Sequence, residues 1–131
     1  VIADDVNEML AALRRIGGEP SGVEAKRAAE GLPKSVRETL SAFANTDGGT
    51  ILLGVDEQSG LTLVELTDPA GLRNALVQMS RDDLTPPLRI STEIVEVDGH
   101  RLVVAEVPAA PADQRPVYVT AQGTARIRPP A

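Results

Sequence analysis

Apolar residues at Val6, Met9, Leu10 and Leu13 repeat at i, i+3, i+4 and i+7, and that period predicts an amphipathic helix over residues 6–16. Acids open the segment, and Arg14 and Arg15 close it, where the helix dipole favours cations. Gly17-Gly18 supplies the stop. From Gly22 to Arg27 the period falls to two, with Val23 and Ala25 alternating against Glu24 and Lys26, which predicts a short strand. A second helical stripe follows at Val36, Leu40 and Phe43, with Pro33 suited to a first helical position and Asn45-Thr46-Asp47-Gly48-Gly49 as its end. Thr50–Val55 is almost continuously apolar, as expected of a strand covered on both faces. A turn at Glu57–Gly60 and a strand over Leu61–Leu66 complete the first half.

Asp68-Pro69 combines a capping carboxylate with a proline suited to the first turn, and opens a helix carrying Leu72, Leu76 and Met79 on one side. Pro86-Pro87 closes that region. Asp98-Gly99 between the apolar runs Arg89–Val97 and Arg101–Val107 predicts a hairpin with a two-residue turn. Pro108–Pro116 reads as a loop, and Val117–Ala121 with Ala125–Arg128 as a last hairpin around Gln122-Gly123-Thr124. The expected fold is α/β (α+β): a mixed sheet of about six strands packed with about three helices. With 131 residues, no internal repeat and no linker, residues 1–131 read as a single domain, a leading helix over 1–17 and an α/β core over 18–131. A start at Val1 and an end at Pro129-Pro130-Ala131 suggest a piece of a longer protein with flanking domains.

Composition narrows the available chemistry. Cysteine is absent and histidine occurs once, at His100, which excludes disulfides, thiolate catalysis and histidine- or cysteine-rich metal sites. Phe43 and Tyr118 are the only aromatic residues, too few for a base-stacking platform. No Walker A or dinucleotide-binding glycine pattern is present, so no nucleotide cofactor is expected. No apolar run approaches membrane-spanning length and no signal layout opens the chain, which points to a cytoplasmic protein with no membrane partner. The net charge of −6 speaks against nucleic acid, since phosphate binding favours a basic face. That charge is uneven, however. Residues 41–99 carry ten acids against Arg73, Arg81 and Arg89, whereas 10–40 and 100–131 are each slightly basic. Brought together, the two basic blocks would make a phosphate-sized stripe; left apart, they are ordinary solvated surface.

The run from Glu19 to Glu57 is the most specific stretch. It contains Val23-Glu24-Ala25-Lys26, then Ser41-Ala42-Phe43-Ala44-Asn45-Thr46-Asp47-Gly48-Gly49, then Leu53-Gly54-Val55-Asp56. It resembles the AlbA-like domain of the Schlafen family, in which a V/L-E-x-K strand leads through a helix to S-A-F-A-N-T-x-G-G and a strand ending I-G-V-D. The likeness extends more loosely through the Asp68-Pro69 helix, the Asp98-Gly99 hairpin and the late Pro116–Tyr118 strand. It implies a nucleic-acid-binding domain, DNA or RNA, of the type found in bacterial transcriptional regulators. Lys26, Arg27, Lys34, Arg37, Arg126 and Arg128 are the expected phosphate contacts.

Some animal members of that family are endoribonucleases that use three carboxylates and a divalent metal. Matched by position, the resemblance implies Glu19, Glu24 and Asp56 as catalytic and metal-binding residues, with Mg²⁺ or Mn²⁺ as cofactor only on this reading. Hard cations of this kind take carboxylate oxygens and activate water. Glu19 and Glu24 are five apart, so Pro20 and Gly22 would have to bend the chain to bring them together. The Asn45–Gly49 loop either offers backbone amides to a phosphate or simply ends the helix. A third reading, favoured by the acidity, is a protein-interaction or dimerisation module using exposed sheet edges of the last two hairpins to form a homodimer.

Overall fold

In the computed structural model, which describes residues 3–16, 22–120 and 127–128, the first apolar stripe folds as α1 (Ala3–Ile16). Val6, Leu10 and Leu13 are fully buried along it, and Met9 packs beside them. The short strand predicted next is β1 (Val23–Lys26). Pro33 does not enter the following helix. Three successive i→i+3 bonds, from Val36, Arg37 and Glu38 N–H to Pro33, Lys34 and Ser35 carbonyls at 3.1–3.2 Å, wind a tight turn ahead of α2 (Val36–Ala44).

The apolar run Thr50–Val55 is not one strand. It splits into β2 (Gly49–Leu53) and β3 (Val55–Asp56) because Gly54, at φ 104°, turns the backbone out of line. A Cβ there would sit 2.8 Å from a Leu102 methyl, so the bend requires glycine twice over. The strand expected over Leu61–Leu66 shrinks to β4 (Thr62–Leu63), paired antiparallel with β3. Leu61 is left-handed at φ 62° and belongs to the turn, while Leu66 leaves the pairing to enter the core.

The Asp68-Pro69 signal opens α3 (Pro69–Asp82), and the Asp68 carboxylate accepts the Gly71 amide at 3.0 Å. A two-residue strand absent from the sequence reading, β5 (Leu84–Thr85), follows directly. The Asp98-Gly99 hairpin is present as β6 (Ser91–Val97) and β7 (His100–Val107), with both turn residues at positive φ as a type I′ turn demands. The chain ends in β8 (Tyr118–Thr120) and β9 (Ile127–Arg128), antiparallel to each other.

Among the described residues the strands form three sheets: β1-β2-β7-β6, β5-β8-β9 and the β3-β4 pair. In the four-stranded sheet β1 runs parallel to β2, and the remaining neighbours are antiparallel, so the sheet is mixed. Alternation divides its central strands cleanly. Leu52, Leu102 and Val104 face α1, whereas Ile51, Leu53, Val103 and Ala105 face the core shared with α2, α3 and the three-stranded sheet. Two apolar layers thus sandwich one sheet, as expected of an α+β domain with three helices.

Candidate nucleic-acid interface

β1 is an edge strand of the main sheet, and Ala25 turns into the α1 layer while Glu24 and Lys26 share the opposite face. Glu24 and Lys26 neutralise each other, with Oε2 3.2 Å from Nζ and both side chains about three-quarters buried at 28% and 23% exposure. The chain leaves β1 at Arg27, whose guanidinium pairs with Glu30 and lies 3.8 Å from the Asp56 carboxylate. Lys34 is exposed in the tight turn before α2 and has no ion-pair partner among the described residues. Arg37 projects from α2 between Glu38 and Asp83, 3.8 Å from a carboxylate oxygen of each, and its Nε makes no hydrogen bond. Arg128 lies in β9 opposite Val119, and Arg126 and Glu19 lie outside the described residues.

The basic positions therefore fall into two groups. Lys26, Arg27 and Lys34 follow one another along the exit from β1, whereas Arg37 is held between two helices. The first group is accompanied by α1's last turn. Arg14 donates to the Leu61 carbonyl at 2.6 Å, and Leu61 N–H closes the 56–61 turn on the Asp56 carbonyl at 2.9 Å. That turn thereby brings the end of α1 and the end of β1 to the same part of the surface, an arrangement no local sequence signal contains.

Of the three carboxylates expected to bind metal, Glu19 lies outside the described residues, and Glu24 and Asp56 each have partners within the fold. Asp56 caps the 3₁₀ turn at Glu57–Ser59, accepting the Gln58 amide at 3.0 Å on one oxygen and the Ser59 hydroxyl at 3.2 Å on the other. Glu24 is held by Lys26. Among the described residues no three His, Cys, Asp or Glu side chains come together to hold an ion.

The Ser41–Gly49 motif has a structural use. Asn45 Nδ2 donates to the Val117 carbonyl at 3.0 Å, and the Val117 amide donates to Asn45 Oδ1 at 2.8 Å. Ser41 Oγ donates to the same carbonyl at 2.9 Å. Arg115 adds bonds to the Ala110 and Thr46 carbonyls, both at 2.9 Å, tying the loop before β8 to the end of α2. Gly48, left-handed at φ 81°, donates its amide to Phe43 O at 2.9 Å and so caps the helix instead of facing a ligand. The groove beside Gly48-Gly49, about 330 Å³, is flanked by Asp47 and Glu106, whose charges repel phosphate. Of the two uses open to this loop, ending the helix is the one the geometry favours.

The family described as Schlafen, AlbA_2 matches residues 19–129. The chain belongs to that family. Its fold is also similar to the solution structure of the N-terminal domain of a RecG-related protein from Nitrosomonas europaea, a proposed ATP-dependent DNA helicase. The two are 35% identical with a TM-score of 0.75, over 91% of this chain and 82% of that one. A crystal structure of the DIP2311 protein from Corynebacterium diphtheriae aligns over 95% of this chain and 27% of its own, at 17% identity and a TM-score of 0.49. The Schlafen AlbA_2 match begins at residue 19, so α1 precedes it, although α1 supplies much of one core layer.

Proposed function

We propose that this domain is a nucleic-acid-binding module of a longer cytoplasmic protein, of the bacterial regulator type. The observation that carries the reading is its family, together with a 35% identical counterpart that heads a protein described as RecG-related. The net charge of −6 is compatible with it because Lys26 and Arg27 adjoin the turn that Arg14 reaches, with the exposed Lys34 seven residues further along the chain. The ion pairs of Arg27 do not remove it from service. Exposed pairs are worth only about 0–1 kcal/mol, and a phosphate competes well for a guanidinium with five donors. Arg27, with about half its side chain exposed, has donors to spare beyond Glu30 and Asp56. Arg37, Arg126 and Arg128 complete the proposed contact set.

No helix among the described residues is long and apolar enough to cross a membrane. The metal-dependent ribonuclease reading draws no support from the described carboxylates, since Asp56 serves as a cap and Glu24 is paired with Lys26.

Fluorescence anisotropy with labelled duplex DNA, single-stranded DNA and structured RNA tests the proposal. Binding should weaken as salt rises, with a log–log slope of about −0.7 to −0.9 per phosphate neutralised. No binding to any of the three at low salt would remove this reading.

A further inference from the structure

The outer edge of β6 is unpaired among the described strands, although its inner edge pairs with β7 over its whole length. The register fixes which backbone groups lie outside. Val97 faces His100 across the two-residue turn, so that pair exchanges both hydrogen bonds, and every second residue does the same. Ser91, Glu93, Val95 and Val97 therefore direct their backbone groups to β7, and Thr92, Ile94 and Glu96 direct theirs outward. Neither the loop and turn hydrogen bonds nor any sheet pairing supplies those three with a backbone partner among the described residues.

We propose that this edge pairs with the same edge of a second copy, in an antiparallel two-fold dimer centred on Ile94. The occupant is argued from the register. Centred there, Ile94 meets Ile94 of the second copy, and Thr92 meets Glu96 in both halves, a hydroxyl against a carboxylate. Glu93 falls opposite Val95, so no carboxylate directly faces another. Centred on Glu96 instead, two glutamates would face each other. Centred on Thr92, Glu96 would pair outside the strand. The Ile94 register alone matches all the outward groups of both strands while keeping like charges apart, and it joins two four-stranded sheets into one. One strand pair buries less than the roughly 1,200 Å² of a standard interface, so the dimer is a weak one.

Each chain carries −6, so the halves repel at long range and added salt tightens the dimer. That is the opposite of the salt response of nucleic-acid binding, and the two proposals can fail independently. Sedimentation equilibrium of the 131-residue chain at low and high salt tests the dimer. The expected result is a concentration-dependent monomer–dimer equilibrium that strengthens with salt. Thr92→Lys places a cation against Glu96 twice, and should tighten the dimer by about three- to thirty-fold at low salt. Thr92→Glu should weaken it by a similar factor, with recovery in high salt. Circular dichroism establishes that each variant is folded. A monomer at every concentration overturns the proposal, whether the edge stays bare or takes an unrelated extended peptide. A dimer whose Kd is unmoved by both substitutions, or moved in the same direction by both, overturns it as well.

Discussion

Asn45 pairs with Val117 as a neighbouring strand would: its side-chain amide donates to the carbonyl at 3.0 Å and accepts the N–H at 2.8 Å. Val117 is fully buried, so these backbone groups have no water to turn to. The same Asn45 nitrogen also reaches the Ser41 carbonyl at 2.8 Å. Asn45→Ala removes every one of these bonds and leaves a buried N–H unpaired. A loss of about 2–4 kcal/mol is expected in urea denaturation, against about 1 kcal/mol for an ordinary hydrogen bond. Ser41→Ala removes one donor from a carbonyl that Asn45 still serves, and should cost about 1 kcal/mol.

The two glycines after Asn45 are required for different reasons. Gly48 has φ 81°, and a Cβ there would lie 2.6 Å from the Val107 carbonyl, which is fixed in β7. A Cβ on Gly49 would meet the Phe43 ring at 2.7 Å, and the ring can shift. Thermal or urea denaturation should therefore rank Gly48→Ala as the more damaging, beyond about 2 kcal/mol, and Gly49→Ala at about 1–3 kcal/mol. Gly60→Ala, with φ 72° but open space around it, should cost only about 1 kcal/mol.

Elements with a local signal were legible in the sequence. The α1 stripe, the Asp68-Pro69 cap and the Asp98-Gly99 turn each depend on residues within one or two turns of each other, and each formed as read. β5 and β4 were illegible or overextended because a two-residue strand is defined by its partner and not by its own pattern. The purpose of the Ser41–Asn45 motif was hidden for the same reason, its partner Val117 lying 72 residues beyond Asn45. The charged side chains were visible as residue types, but their pairing was not. Nothing in the order of residues says that Asp56 caps its own turn, or that Arg27 reaches it from another element.

α1 precedes the residues matched by the family, yet Leu10 is buried against Ala25, Leu52, Val55 and the other residues of that layer. If α1 is integral to the fold, Leu10→Ala should cost about 2–4 kcal/mol in urea denaturation, the price of a cavity in a packed core. A change below about 0.5 kcal/mol would show that the helix is a loose attachment to a domain that stands without it.

Glu24 separates binding from catalysis because Lys26 is its partner at 3.2 Å. Removing the carboxylate frees the ammonium for phosphate, so on the binding reading Glu24→Ala should tighten nucleic-acid binding by up to about five-fold at low salt. The log–log salt slope should steepen by up to about 0.9, as one more counterion is displaced. Lys26→Ala should do the reverse, weakening binding and making the slope shallower by a similar amount. The ribonuclease reading requires something different of the same variant: Mn²⁺-dependent cleavage of structured RNA by the wild type, abolished in Glu24→Ala with the fold intact. Removing a negative charge can tighten phosphate binding on either reading, so the cleavage assay decides. Mn²⁺-dependent cleavage by the wild type that is lost in a folded Glu24→Ala assigns the carboxylate to catalysis, and no cleavage by either leaves it a partner of Lys26.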